Sequence, residues 1–124
     1  MNRRQLLAVG VAAVVGGCSS RNATPAQLPV SVHFINTSST QVTVRGELRQ
    51  GDEERFEQTV RLDGVSDGGL DSEQFEEKVA DRPLLARGQR MRTDEKTEFE
   101  FEQPPDGLVF FVEQGGTLTL FRQS

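Results

Sequence analysis

The chain has few of the residues on which disulfides, metal centres and many active sites depend. Its single cysteine is Cys18, its single histidine is His33, and it contains no tryptophan or tyrosine. One cysteine allows no disulfide within the domain. A blue-copper site needs two histidines and a cysteine, and a structural zinc site needs four Cys or His ligands. We therefore expect no metal and no cofactor, and a stability that comes from packing and from the surrounding ions.

Patterns that accompany catalysis are also missing. A serine or cysteine nucleophile needs a histidine base, and His33 stands on the outward side of a predicted strand with no nucleophile motif. No pair of carboxylates stands out as glycosidase-like among the many acidic residues, and no glycine-rich phosphate loop opens a helix. The acidic segment 63–74 matches a calcium loop poorly, because Val65 and Gln74 stand at ligand positions. The sequence predicts a protein that is not an enzyme.

Lysine is scarce, and acidic residues exceed basic ones. The basic residues are 12 Arg and 2 Lys, against 19 Asp and Glu. From Cys18 onward the chain has 12 basic and 19 acidic residues, which gives a formal charge of −7. Because such a surface repels nucleic acid and anionic lipid headgroups, we do not expect nucleic acid as a partner.

No apolar run is long enough to cross a membrane, but a shorter one follows the N-terminus. Arg3 and Arg4 precede an apolar run of twelve residues, 6–17, that includes three glycines. A membrane-spanning helix needs about 20 apolar residues, whereas a basic start, a short apolar run and small residues before Cys18 are typical of a cleaved export signal. The sequence thus predicts a signal peptide, a flexible tether and a single domain, at residues 1–17, 18–29 and 30–124.

Two motifs in this segment resemble known export signals. Val15-Gly16-Gly17-Cys18 resembles a lipobox, in which an aliphatic residue and small residues precede a cysteine that is joined to lipid. Arg3-Arg4 followed by Gln5-Leu6-Leu7 resembles the twin-arginine export motif, with ordinary export of the unfolded chain as the alternative. Together with the acidic, lysine-poor composition, which an ordinary secreted protein can also have, these motifs resemble small exported lipoproteins of halophilic archaea. The resemblance implies a protein held on the outer side of the cell membrane through lipid on Cys18.

Two triplets of the N-glycosylation pattern begin at Asn22 and Asn36. The modification makes chemical sense only outside the cell, which agrees with an exported chain. Such triplets also arise by chance, so both asparagines are candidate acceptors and no more.

From Val30 onward, apolar residues recur with a period of two, which is typical of half-buried strands. Segment 74–80 fits a helix or a strand, with the strand preferred, and 84–91 fits a weak strand or a bridging loop. Segment 63–72 is predicted to be a loop. About seven short strands with turns every ten or so residues predict an antiparallel β-sandwich, immunoglobulin-like in broad architecture. A small β-barrel is the alternative.

The last two strands are predicted to form a hairpin, and its register decides which residues are core. A three-residue loop at 114–116 gives one face that is entirely apolar, with Phe110 in the core. The other face carries Val109, Phe111 and Phe121, a candidate exposed patch and partner surface, unless segment 63–80 folds over it. The predicted function is therefore binding or assembly at the cell surface by a lipid-anchored protein. The alternative is an accessory subunit that docks an extracellular enzyme or transporter.

Overall fold

The computed structural model describes residues 27–123, which form eight β-strands and no helix. The strands are β1 (Gln27–Asn36), β2 (Val42–Gln50), β3 (Glu53–Leu62), β4 (Asp71–Ala80), β5 (Leu84–Arg90), β6 (Lys96–Phe101), β7 (Gly107–Val112) and β8 (Leu118–Gln123). The predicted signal peptide, with Arg3, Arg4, Cys18 and Asn22, lies outside the described residues.

The strands form two four-stranded sheets that pack face to face. Sheet A has the order β4-β1-β7-β8, and sheet B has the order β3-β2-β5-β6. The predicted β-sandwich is thereby confirmed, and the described strands do not close into a barrel. Neighbouring strands are antiparallel except β1 and β7, which are parallel. The order also departs from that of an immunoglobulin constant domain, where the first strand lies beside the second.

The strand that the sequence indicates least clearly is β5. Its pattern is weak because an aromatic ring of the opposite sheet packs against its backbone and leaves no room for a side chain at one inward position. Its inward positions are Leu84, Ala86 and Gly88, so its apolar signal fades toward its end. Gly88 pairs with Gly46 of β2, and a Cβ atom on Gly46 would lie 2.7 Å from Cζ of Phe34. A Cβ atom on Gly88 would lie 2.8 Å from Cδ1 of Phe110. The two glycines therefore leave bare backbone on which these rings pack.

The core between the sheets is built from alternating inward residues of all eight strands. Phe34 and Phe110 are fully buried at its centre, with stacked rings whose centroids are 5.1 Å apart. Phe75 of β4 packs edge-on against Phe34 at 5.8 Å, which explains why segment 74–80 is a strand at the edge of sheet A. The other buried members of the cluster are inward valine, leucine, alanine and phenylalanine residues of all eight strands.

The terminal hairpin has the predicted register. Val112 pairs with Leu118, Phe110 with Leu120, and the Glu113 N–H donates to the Thr117 carbonyl at 2.9 Å. The loop is therefore the three residues 114–116, and Phe110 is core as expected.

The directions of the strands place the two ends of the described chain at the same end of the sandwich. Gln27 pairs with Ala80 there, and Gln123 pairs with Gly107. At the opposite end lie the four loops at residues 37–41, 63–70, 91–95 and 113–117. Each end of the sandwich contains one fully buried side-chain amide. Asn36 lies at the end with the four loops, and Gln50 lies at the end with the chain termini.

Candidate partner-binding face

The outer side of sheet A includes a surface without any Asp, Glu, Lys or Arg side chain. It is formed by the outward positions of three neighbouring strands, which we call the neutral face: Ser31, His33, Ile35, Gly107, Val109, Phe111, Thr119, Phe121 and Gln123. Charged side chains border this face at two places: Glu76 and Lys78 lie on the outward side of the edge strand β4, and Glu113, in the loop after β7, accepts a hydrogen bond from the Thr119 hydroxyl at 2.9 Å. The face is therefore an uncharged area on a strongly acidic protein.

The outer side of sheet B is the opposite case. Nine of its thirteen outward positions on the regular parts of the strands are charged. Arg45 bonds Glu57 at 2.6 Å, and Arg87 bonds Glu98 at 3.1 Å. Glu47 lies between Arg49 at 3.1 Å and Arg87 at 3.9 Å. The exposed pairs Arg45–Glu57 and Arg87–Glu98 contribute little stability individually, but they keep this surface hydrated.

The neutral face brings together the three residues of the predicted patch, although they differ in exposure. Phe121 is 47% exposed and Phe111 is half-buried, and their rings meet edge to face at 5.7 Å. Val109 is only 8% exposed, so the expectation that it is exposed is wrong. It lies on the inner strand β7, between His33 of β1 and Phe121 of β8, and these neighbours cover it. The accessible apolar area belongs to the two phenylalanines.

Sequence reasoning missed that β1 contributes to this face. The parallel pairing of β1 with β7 sets His33 beside Val109 and Ile35 beside Phe111. The sequence did contain an indication that β1 carries an outward apolar residue. Ile35 is aliphatic, whereas the preceding outward residues Ser31 and His33 are polar. Its meaning depends on which strand lies next to β1, and that pairing spans more than 70 residues. The alternative in which segment 63–80 covers the patch is not observed, since β4 lies in the same sheet on the far side of β1.

Asn36 is not a plausible glycosylation acceptor in the folded domain. Its side chain is fully buried, and its Nδ2 donates to the carbonyls of Thr40 at 2.9 Å and Asp63 at 2.8 Å. Its Oδ1 accepts from the N–H and the hydroxyl of Ser38. Because glycosylation needs an accessible Nδ2, we correct this candidate to a structural residue that joins two loops.

Two depressions elsewhere on the surface are lined by charged side chains. One, of about 430 Å³, lies on the outer side of sheet B among Arg45, Arg87 and Lys96. The other, of about 520 Å³, lies at the β3–β4 side, with Phe56 and Phe75 below a rim of glutamates. Arg45 and Arg87 already bond glutamates, so the first depression does not present free cationic groups to a ligand.

Within residues 27–123 no group of His, Cys, Asp and Glu side chains is arranged to hold a metal ion. In the acidic loop, Asp71 instead accepts a hydrogen bond from the Asp63 N–H at 2.8 Å. The described part of the chain also contains no helix that could span a membrane.

No family model matches the chain, and no curated protein matches it. Among solved structures, it is similar to the NMR structure of a protein from Eubacterium rectale, with 17% sequence identity and a TM-score of 0.43. The similarity covers 77% of this chain and 89% of that one. At this level it carries no information on function.

Proposed function

We propose that this chain is a non-enzymatic protein, exported and lipid-anchored on the outer side of the cell membrane, whose neutral face binds another protein. The observation that carries the binding proposal is the absence of charged side chains from the outward positions of three neighbouring strands in a domain with 19 acidic residues. The anchoring proposal rests on the signal-like segment and on its resemblance to lipoprotein signals of halophilic archaea.

The neutral face is the part of the described surface that a partner can cover at least cost. Burying a charged group without a matched partner is expensive, whereas the rings of Phe111 and Phe121 gain from losing water. Interface centres are depleted of charged residues and enriched in aromatic ones. On the outer side of sheet B, a partner would instead have to desolvate the ion pairs of Arg45 and Arg87.

The proposed anchor restricts where that partner is found. Gln27, the first residue of β1, is nine positions after Cys18, and nine extended residues reach at most about 30 Å. The neutral face would therefore stay close to the membrane, so the partner is a membrane protein or a protein of the cell surface.

The binding proposal is tested with Phe111→Ser in the full, anchored chain, purified from intact membranes together with its bound proteins. We expect the variant to lose a partner that the unchanged protein retains, while its melting temperature changes little because Phe111 lies outside the core cluster. The matched control is Leu85→Ser, which makes a similar change at a half-buried position on the outer side of sheet B.

Three outcomes of that experiment are informative. Loss of the partner in Phe111→Ser but not in Leu85→Ser supports the neutral face as the binding surface. A stoichiometric enzyme or transporter among the lost proteins would identify the chain as an accessory subunit. A destabilisation of Phe111→Ser as large as that of Phe110→Ala would show that Phe111 is a core residue, which contradicts the proposal.

The anchoring proposal predicts that Cys18→Ser releases the protein from membranes. Cys18 is the only thiol in the chain and hence the only site for thioether-linked lipid. Because the described domain begins at Gln27, its melting temperature should not change. Fractionation after a high-salt wash measures the effect, and a variant that stays in the membrane fraction would disprove the lipoprotein proposal.

The halophilic proposal predicts that added salt raises the melting temperature. A formal charge of −7 from Cys18 onward makes the domain repel itself in dilute buffer, and the screening length falls to about 3 Å at 1 M salt. Salt also weakens the ion pairs of sheet B, but exposed pairs contribute only about 0–1 kcal/mol each. A melting temperature that is flat from dilute buffer to molar salt would remove the inference.

A further inference from the structure

The four edge strands of the sandwich are not equally protected against pairing with another strand. The edge strands are β3 and β6 in sheet B and β4 and β8 in sheet A. β3 and β4 each carry five charged residues and β6 carries three, whereas β8 carries only Arg122. Charged side chains on an edge strand oppose its extension by a further strand. β8 therefore lacks the protection that the other three edges have.

The backbone of β8 also offers hydrogen-bonding groups at its open edge. Because Glu113 and Thr117 form a hydrogen-bonded pair, the antiparallel alternation directs the N–H groups of Leu118, Leu120 and Arg122 away from β7. The Leu118 N–H is occupied, since it donates to Oε2 of Glu95 at 2.7 Å. Leu120 and Arg122 thus present backbone donors at an edge where no further strand of residues 27–123 joins sheet A.

Exposed apolar side chains lie on both sides of this edge. The large hydrophobic residues that are exposed in the described chain are Leu70, Phe99 and Phe121. Phe121, 47% exposed, projects from the outer side of β8. Phe99, 56% exposed, projects from the inner side of β6, the edge strand of sheet B that faces β8 across the same side of the sandwich. Two of the three exposed residues therefore flank β8.

We propose that two copies of this chain associate by antiparallel pairing of their β8 strands about a two-fold axis at Leu120. In this register Leu120 pairs with the second copy's Leu120, and Arg122 lies opposite the second copy's Leu118. Pairing at this position requires the Leu118 N–H to exchange Oε2 of Glu95 for the Arg122 carbonyl of the second copy. The released Glu95 carboxylate then pairs with the Arg122 side chain of that copy. The contact is isologous and closes with two copies.

The Arg122–Glu95 contact favours a second copy of this chain as the occupant of the edge, against the overall repulsion between two acidic domains. Two domains with a formal charge of −7 repel each other, and contacts through β3, β4 or β6 would bring like-charged strands together. The β8 contact instead forms two Arg122–Glu95 pairs and no like-charge contact within the paired strands. Because the axis is perpendicular to the sheet, the two neutral faces lie on the same side and join into one wider surface.

The pairing is tested by cross-linking the full chain that carries Cys18→Ser, which removes the native thiol and the proposed lipid. Leu120→Cys in this background would place two thiols on a directly opposed strand pair, with Cα atoms about 5.5 Å apart, which a disulfide can bridge. The matched control is Glu77→Cys, which is also half-buried and on the inner side of an edge strand, β4. Mild oxidation in molar salt should convert Leu120→Cys, but not Glu77→Cys, to a covalent dimer.

Sedimentation equilibrium of the same background in molar salt tests the charge contact. Arg122→Glu and Glu95→Arg should each weaken the dimer about tenfold or more, and the double exchange should restore it, because it re-creates the opposite-charge pair. Melting temperatures report whether each variant is folded. A chain that stays monomeric up to millimolar concentration, equal cross-linking of the two cysteine variants, or a double exchange that fails to restore the dimer would overturn the proposal.

Discussion

Phe110→Ala is expected to lower the free energy of unfolding by about 3–5 kcal/mol. Phe110 is fully buried at the centre of the core, where its ring stacks on Phe34 and covers the bare backbone at Gly46 and Gly88. A cavity left there cannot close easily, because the two glycines have no side chain that could move into it. Unfolding in denaturant, compared with the unchanged domain, measures the loss.

The control for this prediction is Phe99→Ala, which removes the same ring from a position that is 56% exposed. Phe99 contacts Phe101, so some loss is expected, but it should be far smaller than that of Phe110→Ala. If the two variants lose similar stability, the register of the terminal hairpin and the central position of Phe110 are both wrong.

The sequence was sufficient for features whose partners lie close together in the chain. The register of β7 and β8 follows from a three-residue loop, because this pairing places Leu118 and Leu120 on the same face as Phe110 and its inward neighbours. The turns at 51–52 and 104–106 are also local, because Gly51 permits a positive φ and Pro104 and Pro105 restrict φ. The period of two in the apolar residues predicted the all-β class. The length of the chain predicted a single domain and hence one sandwich.

Features that depend on contacts across the sandwich were not accessible in the same way. Gly46 and Gly88 weaken the strand pattern in the sequence. Their role is to leave space for the rings of Phe34 and Phe110, and these contacts are known only from the structure. The neutral face was found in part, since Phe111 and Phe121 belong to one hairpin. Ile35 joins the neutral face because β1 pairs with β7, and no local sequence pattern indicates this pairing.

Asn36 shows how one local pattern can fit two physical roles. A turn after the first strand and an Asn-Thr-Ser triplet are both compatible with an exposed asparagine. The decisive partner is the carbonyl of Asp63, 27 residues further along the chain, where the loop after β3 meets the loop after β1. The Val65 N–H donates to the Ser38 carbonyl at 2.9 Å in the same region, so the two loops are joined by several bonds.

Asn36→Ala is accordingly expected to destabilise the domain by about 2–4 kcal/mol. The change leaves the Asp63 carbonyl and the Ser38 N–H without their partners, and a buried group that loses its hydrogen bond costs about 1–3 kcal/mol. The Thr40 carbonyl lies 3.0 Å from the Ser38 hydroxyl, whose single proton is no longer shared with Oδ1 in the variant and can bond this carbonyl, so it adds little to the loss.

The control for this substitution is Ser39→Ala, at an exposed position of the same loop, which should change stability by no more than about 0.5 kcal/mol. Hydrogen exchange gives the more specific measurement, because the Val65 and Ser38 amides should lose protection in Asn36→Ala before the central strands do. Equal stability of the two variants would show that water replaces the buried amide, and that the two loops are held together by their backbone bonds alone.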